Sequence, residues 1–141
     1  MAGRMADVRL PRDAEEETRL VVPVPTTELR HRERGYNQAE VLARAFARQT
    51  GRTVFCGLRR GAGASSQIAL QPAARLANVA GAFGLVAGRD RELMGEHVLL
   101  VDDVLTTGAT TVACARVLTD AGARCVTALT FARATGRLRL D

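Results

Sequence analysis

At 141 residues, 47% of them hydrophobic but with only four Phe, one Tyr and no Trp, the chain has the length of one domain with a core of Ala, Val and Leu. Its apolar runs are all shorter than the roughly 20 residues that cross a bilayer, and its charged N-terminus has no apolar signal core, so no membrane span and a cytoplasmic location are expected. The net charge of +5 rests on 20 Arg and no Lys, and the segment from Glu28 to Arg60, with eight Arg against three Glu, holds an excess equal to that of the whole chain.

Such a concentration suits a polyanion: pyrophosphate, a nucleotide or a nucleic-acid backbone. Cys56, Cys114 and Cys125 are odd in number and lack metal-type spacing, so they read as buried, reduced thiols.

Residues 1–18 form a polar lead-in without a period, expected to be disordered, ahead of a single domain over residues 19–141. Leu20-Val21-Val22-Pro23-Val24-Pro25 predicts a short strand stopped by its prolines, and a loop from Thr26 to Gly35 follows. Ala39, Leu42, Ala43, Phe46 and Ala47 then recur at helical spacing. They predict an amphipathic helix over about Asn37 to Thr50, with Gly51 as its stop.

Thr53 to Leu58 reads as a strand, and Arg59 to Gln67, rich in Gly, Ala and Ser, as a mobile loop. Pro72 opens a short helix to about Val79. Ala82 to Val86 is a further strand, and Ala87 to Gly95 a turn region. His97 to Val101 predicts a strand. The helix after it, about Gly108 to Ala121, places Thr110, Ala113, Cys114, Val117, Leu118 and Ala121 on one face, with Gly122 at its end. Cys125 to Phe131 closes the set. Alternating strands and helices, with strands apolar on both sides, predict an α/β fold: a doubly wound, mostly parallel sheet flanked by helices.

The chemistry concentrates in Val98-Leu99-Leu100-Val101-Asp102-Asp103-Val104-Leu105-Thr106-Thr107-Gly108-Ala109-Thr110-Thr111. An apolar strand delivers two carboxylates to a sheet edge, and a hydroxyl-rich turn leads into a helix. The first amides of a helix are free and carry about half a positive charge, which suits a phosphate. Gly108 allows close backbone approach, Ala109 adds no bulk, and the Thr hydroxyls add donors. Carboxylates repel phosphate but accept from sugar hydroxyls or help place a divalent cation. Acids ahead of a phosphate cradle describe a ribose 5-phosphate site; helix capping accounts for one or two of these residues and not for all of them.

The same run resembles the phosphoribosyl pyrophosphate (PRPP) motif of the type I phosphoribosyltransferases. Val22-Pro23-Val24-Pro25, the stretch Arg32-Glu33-Arg34-Gly35-Tyr36-Asn37-Gln38-Ala39-Glu40, and Gln67, Arg75, Asn78 and Gly81-Ala82-Phe83 resemble the ComF-like, or GntX-like, branch of that superfamily. The likeness spans about Leu20 to Arg133. It implies that Asp102 and Asp103 are the catalytic acids and contact the ribose hydroxyls. Thr106, Thr107, Gly108, Ala109 and Thr110 would wrap the 5-phosphate, and Arg32 and Arg34 would face the pyrophosphate. Arg60, Ser65, Ser66 and Gln67 fall where the superfamily keeps a flexible lid. Mg²⁺ would arrive on PRPP, with Asp102 and Asp103 able to help place it. The branch usually begins with a zinc-ribbon-type segment that this sequence does not show, so no zinc role is expected.

Two functions follow from the resemblance. One is phosphoribosyl transfer to an acceptor with release of pyrophosphate, through charge stabilisation rather than a covalent nucleophile. The other is a non-catalytic PRPP- or nucleotide-binding module in DNA uptake or regulation. The implied partners are PRPP, single-stranded DNA or a component of the competence machinery, and a second copy of the chain in a homodimer.

Overall fold

A computed structural model describes residues 8–61, 81–105 and 107–133. Strands β1 (Leu20–Pro23), β2 (Thr53–Val54), β5 (His97–Leu105) and β6 (Cys125–Arg133) form one parallel sheet in the order β2-β1-β5-β6. Leu20 is in register with both Thr53 and Val98, and His97 with Cys125. Strands β3 (Leu58–Arg60) and β4 (Phe83–Leu85) pair antiparallel as a separate hairpin.

Side chains alternate across a strand, so the unbroken apolar runs of β1 and β5 supply both faces of the sheet. Val22, Val98 and Leu100 pack on one side with the hairpin and with Ala113, Cys114 and Leu118 of helix α4 (Ala109–Asp120). Val21, Leu99 and Val101 pack on the other, against Leu42, Ala43, Phe46 and Ala47 of helix α3 (Gln38–Thr50). Each fully buried Val or Leu contributes roughly 1.5–3 kcal/mol.

Helix α3 starts where the sequence places it. Asn37 Oδ1 accepts from Ala39 N at 3.1 Å, and Gly51, at φ +72°, ends the helix in the left-handed conformation.

Several expectations are corrected. The lead-in holds helix α1 (Arg12–Glu17), whose only buried residue is Ala14. Polar contacts hold it: Arg52 donates to Thr18 O and Glu15 O at 3.0 Å each, and Glu17 Oε2 lies 3.0 Å from His97 Nδ1. Such long-range bonds leave no local period to read. The loop from Thr26 to Gly35 contains helix α2 (Glu28–Arg34), with Thr27 Oγ1 accepting from Arg30 N and Gly35 at φ +75°. It buries no side chain, which is why no apolar period announces it.

The single strand expected from Thr53 to Leu58 is two. Phe55 N donates to Val21 O at 2.8 Å and ends the parallel ladder; Val86 N donates to Gly57 O at 2.8 Å beside the hairpin. Between the two strands lies Gly57, where an added Cβ would sit 2.5 Å from the Phe55 ring. The expected strand Ala82 to Val86 is the hairpin's β4 and lies outside the parallel sheet. A short 3-10 turn, Asp90–Leu93, occupies part of the expected turn region and buries Leu93. Of the three cysteines only Cys114 is buried; Cys56 is exposed and Cys125 intermediate, and all are free. The Pro72 helix, Arg75 and Asn78 lie outside the described residues.

Candidate active site

Strand β5 runs past Val101 to Leu105, so Asp102 and Asp103 are strand residues at the C-terminal edge of the sheet. In open α/β sheets that edge is where ligands bind. The chain then turns into α4 through Gly108, whose φ of +81° only glycine adopts cheaply. Space is not the constraint there, since an added Cβ would meet only Leu105 Cδ1 at 3.9 Å.

Gly108 brings no capping side chain, and the first turn of α4 has no acid. The positive end of the helix borders a cavity that Gly108, Thr110 and Thr111 help to line. This cavity, of about 550 Å³, is closed by Asp102 and Asp103 on one side and by α2 with the loop after β1 on the other.

The arginines enter from two elements. Arg30 and Arg34 are four residues apart on α2 and share a face toward the cavity; Arg60 reaches it from β3. Arg34 Nη1 lies 4.0 Å from Asp103 Oδ2. Asn37 ties the rim together: its Oδ1 caps α3 while its Nδ2 donates to Val24 O at 3.0 Å, just past β1.

Burial pushes the Asp102 carboxyl up to about 6, and hydrogen bonding with the Asp103 carboxyl together with its charge adds to the rise. The Asp103 N–H, donating to Asp102 Oδ1 at 2.8 Å, and the nearby Arg30 pull the other way. Burial likewise lowers Arg60, against which Asp102 acts. Cys114, behind this wall, is pushed up to about 12 by burial and stays a thiol.

Of the residues the sequence singles out, Asp102, Asp103, Gly108, Thr110, Arg34 and Arg60 meet at the cavity. Thr107 is exposed and its Oγ1 accepts from Ala109 N at 3.3 Å, a local turn contact. Arg32 does not face the acids; it is exposed, 3.9 Å from Glu28, and borders a shallow outer groove. Arg60 is not in a mobile loop but in a paired strand, opposite Phe83. Thr106, Ser65, Ser66 and Gln67 lie outside the described residues. Sequence reasoning missed Arg30, and only the i, i+4 spacing to Arg34 on an unexpected helix could have found it.

The phosphoribosyl transferase domain model matches residues 17–141, and the chain belongs to that family. Within it the chain is similar to the DNA utilization protein YhgH of Escherichia coli (strain K12), 32% identical over 111 residues, 75% of this chain and 45% of that protein. It is also 34% identical over 91 residues to Competence protein F of Haemophilus influenzae, covering 64% of this chain and 39% of that one. The chain thus spans less than half the length of these two relatives.

Among solved structures, the glutamine phosphoribosylpyrophosphate amidotransferase from B. subtilis superposes with a TM-score of 0.60 at 20% identity, over 92% of this chain and 24% of that one. A hypoxanthine phosphoribosyltransferase from Staphylococcus aureus gives 0.51 at 10% identity, over 94% and 58%. At these identities the likeness is one of fold.

Proposed function

We propose that the cavity binds PRPP with Mg²⁺ and that the protein transfers the phosphoribosyl group to an acceptor, releasing pyrophosphate. One observation carries the reading: the acid pair, the open N-terminus of α4 and three guanidinium groups converge on a single cavity. Those are the complements of ribose hydroxyls, a terminal phosphate and a pyrophosphate.

In this reading Gly108 and the amides of Thr110 and Thr111 take the 5-phosphate. Asp102 and Asp103 accept from the ribose hydroxyls and fix the sugar, while Arg34 and its neighbours neutralise the leaving pyrophosphate. Among the described residues no group of three or more metal-binding side chains exists. Two adjacent carboxylates fit an ion that completes its shell with phosphate oxygens and water, which is how Mg²⁺ is usually held. When bound, that ion would help neutralise the pyrophosphate; Asp102 and Asp103 would hold it.

A second reading, a PRPP- or nucleotide-binding module without turnover in DNA handling, is favoured by the names of the relatives. The exposed Arg32 on the outer side of α2 also favours it.

Calorimetry of PRPP with Mg²⁺ on the wild type and on the Asp102→Asn/Asp103→Asn double variant tests the site. Equal affinity in the two would overturn the site, and no binding to either would overturn the ligand. Pyrophosphate release with a panel of nucleobases then separates transfer from binding alone. Salt-sensitive binding to single-stranded DNA without turnover would favour the second reading.

A further inference from the structure

The Arg60 guanidinium carbon lies 4.9 Å from the centroid of the Phe83 ring, well within cation–π range. The two residues are also register partners across the β3–β4 hairpin, so backbone pairing and side-chain stacking hold the same cation. Phe83 itself is anchored: it is only 7% exposed and packs in the core with Ala113, Cys114 and Leu118 of α4, the helix whose N-terminus faces the cavity. Arg60 is partly buried and lines that cavity together with Asp102 and Arg30.

A long arginine side chain ordinarily loses rotamer freedom when it binds an anion. Here the planar guanidinium is laid on a fixed ring beforehand, which removes part of that cost.

We propose that Phe83 is a positioning residue: its ring presets the Arg60 guanidinium at the cavity wall beside Asp102, ready to take the pyrophosphate end of the ligand. This rests on the reading of the cavity as a PRPP site and deepens it, since it assigns the pyrophosphate end to Arg60 as well as Arg34.

Two probes test it on the full chain: inorganic pyrophosphate with Mg²⁺, and ribose 5-phosphate. Phe83→Leu, which keeps apolar bulk and removes the ring, is expected to weaken pyrophosphate about fivefold and to leave ribose 5-phosphate within about twofold. Phe83→Tyr restores pyrophosphate binding, because the ring face is retained. Arg60→Lys keeps the charge but loses the planar stack, and is expected to cost a similar factor; in that background Phe83→Leu changes pyrophosphate affinity by less than about twofold.

A folded Phe83→Leu protein that binds pyrophosphate as the wild type does overturns the proposal. So does an equal loss for both probes, or additive losses in the double variant. If Phe83→Leu fails to fold, Arg60→Lys carries the test, and unchanged pyrophosphate affinity there overturns it. A wild type that binds neither probe overturns the PRPP reading itself, and this proposal with it.

Discussion

Arg34 Nη1 and Asp103 Oδ2 stand 4.0 Å apart across the mouth of the cavity, joining helix α2 to the end of β5. Both side chains are partly exposed, so the pair is worth no more than about 1 kcal/mol. A contact that weak is readily exchanged. An entering phosphate can take the guanidinium while the carboxylate is left to a sugar hydroxyl. In the proposed function the pair holds two complementary groups at the spacing a sugar pyrophosphate needs.

The first prediction separates two arginines two residues apart. Arg34→Gln is expected to weaken PRPP binding by roughly tenfold or more, as the loss of a charge-assisted contact does. Arg32→Gln, on an exposed side chain beside Glu28, is expected to leave it within about twofold. Calorimetry on the two variants decides it, and equal losses would return Arg32 to the site.

The second concerns pH. Burial and Asp103 raise Asp102 from 3.8 to about 6, so between those values the folded protein keeps a proton that the unfolded chain releases. Stability from this group is therefore present below about pH 4 and lost as pH rises through about 6. Asp102→Asn is expected to be the more stable protein at pH 7, by on the order of 1 kcal/mol once solvent screening of a half-exposed group is allowed for. Urea midpoints at pH 4 and pH 7 check this. A gap as wide at pH 4 as at pH 7 would show that charge is not its source.

The third concerns the rim. Asn37→Asp keeps the cap on α3 but loses the donor to Val24 O, whereas Asn37→Ala loses both. Thermal unfolding is expected to rank wild type, then Asp, then Ala, with the cap alone worth about 1 kcal/mol. PRPP affinity should follow the same order, because this side chain joins β1 to the start of α3 beside the cavity. An Ala variant as stable as the Asp variant would remove the cap from the account.

The fourth tests the face of the sheet under α3. Leu99 is fully buried among Val21, Phe46 and Val101. Leu99→Ala is expected to cost about 2–5 kcal/mol by leaving a cavity. A loss under 1 kcal/mol in chemical denaturation would mean that this face repacks.

What the chain alone determined were the features whose physics is local. The apolar runs at Val21 and Val98, the i, i+3, i+4 spacing from Ala39 to Ala47 and the glycine stops predict the parallel core and its helices. The order of acids, hydroxyls and glycine after Val101 predicts the site. Tertiary structure alone decided which cations meet those acids. Helix α2 buries nothing, so its spacing carried no signal, yet its position over β5 brings in Arg30 and Arg34 and leaves Arg32 outside. Arg60 reads as loop in a Gly- and Ala-rich stretch; pairing with Phe83, 23 positions along the chain, makes it a fixed wall. Charge composition shows where arginines are concentrated along the chain, but which guanidinium faces the cavity depends on contacts between elements far apart in sequence, which no local pattern encodes.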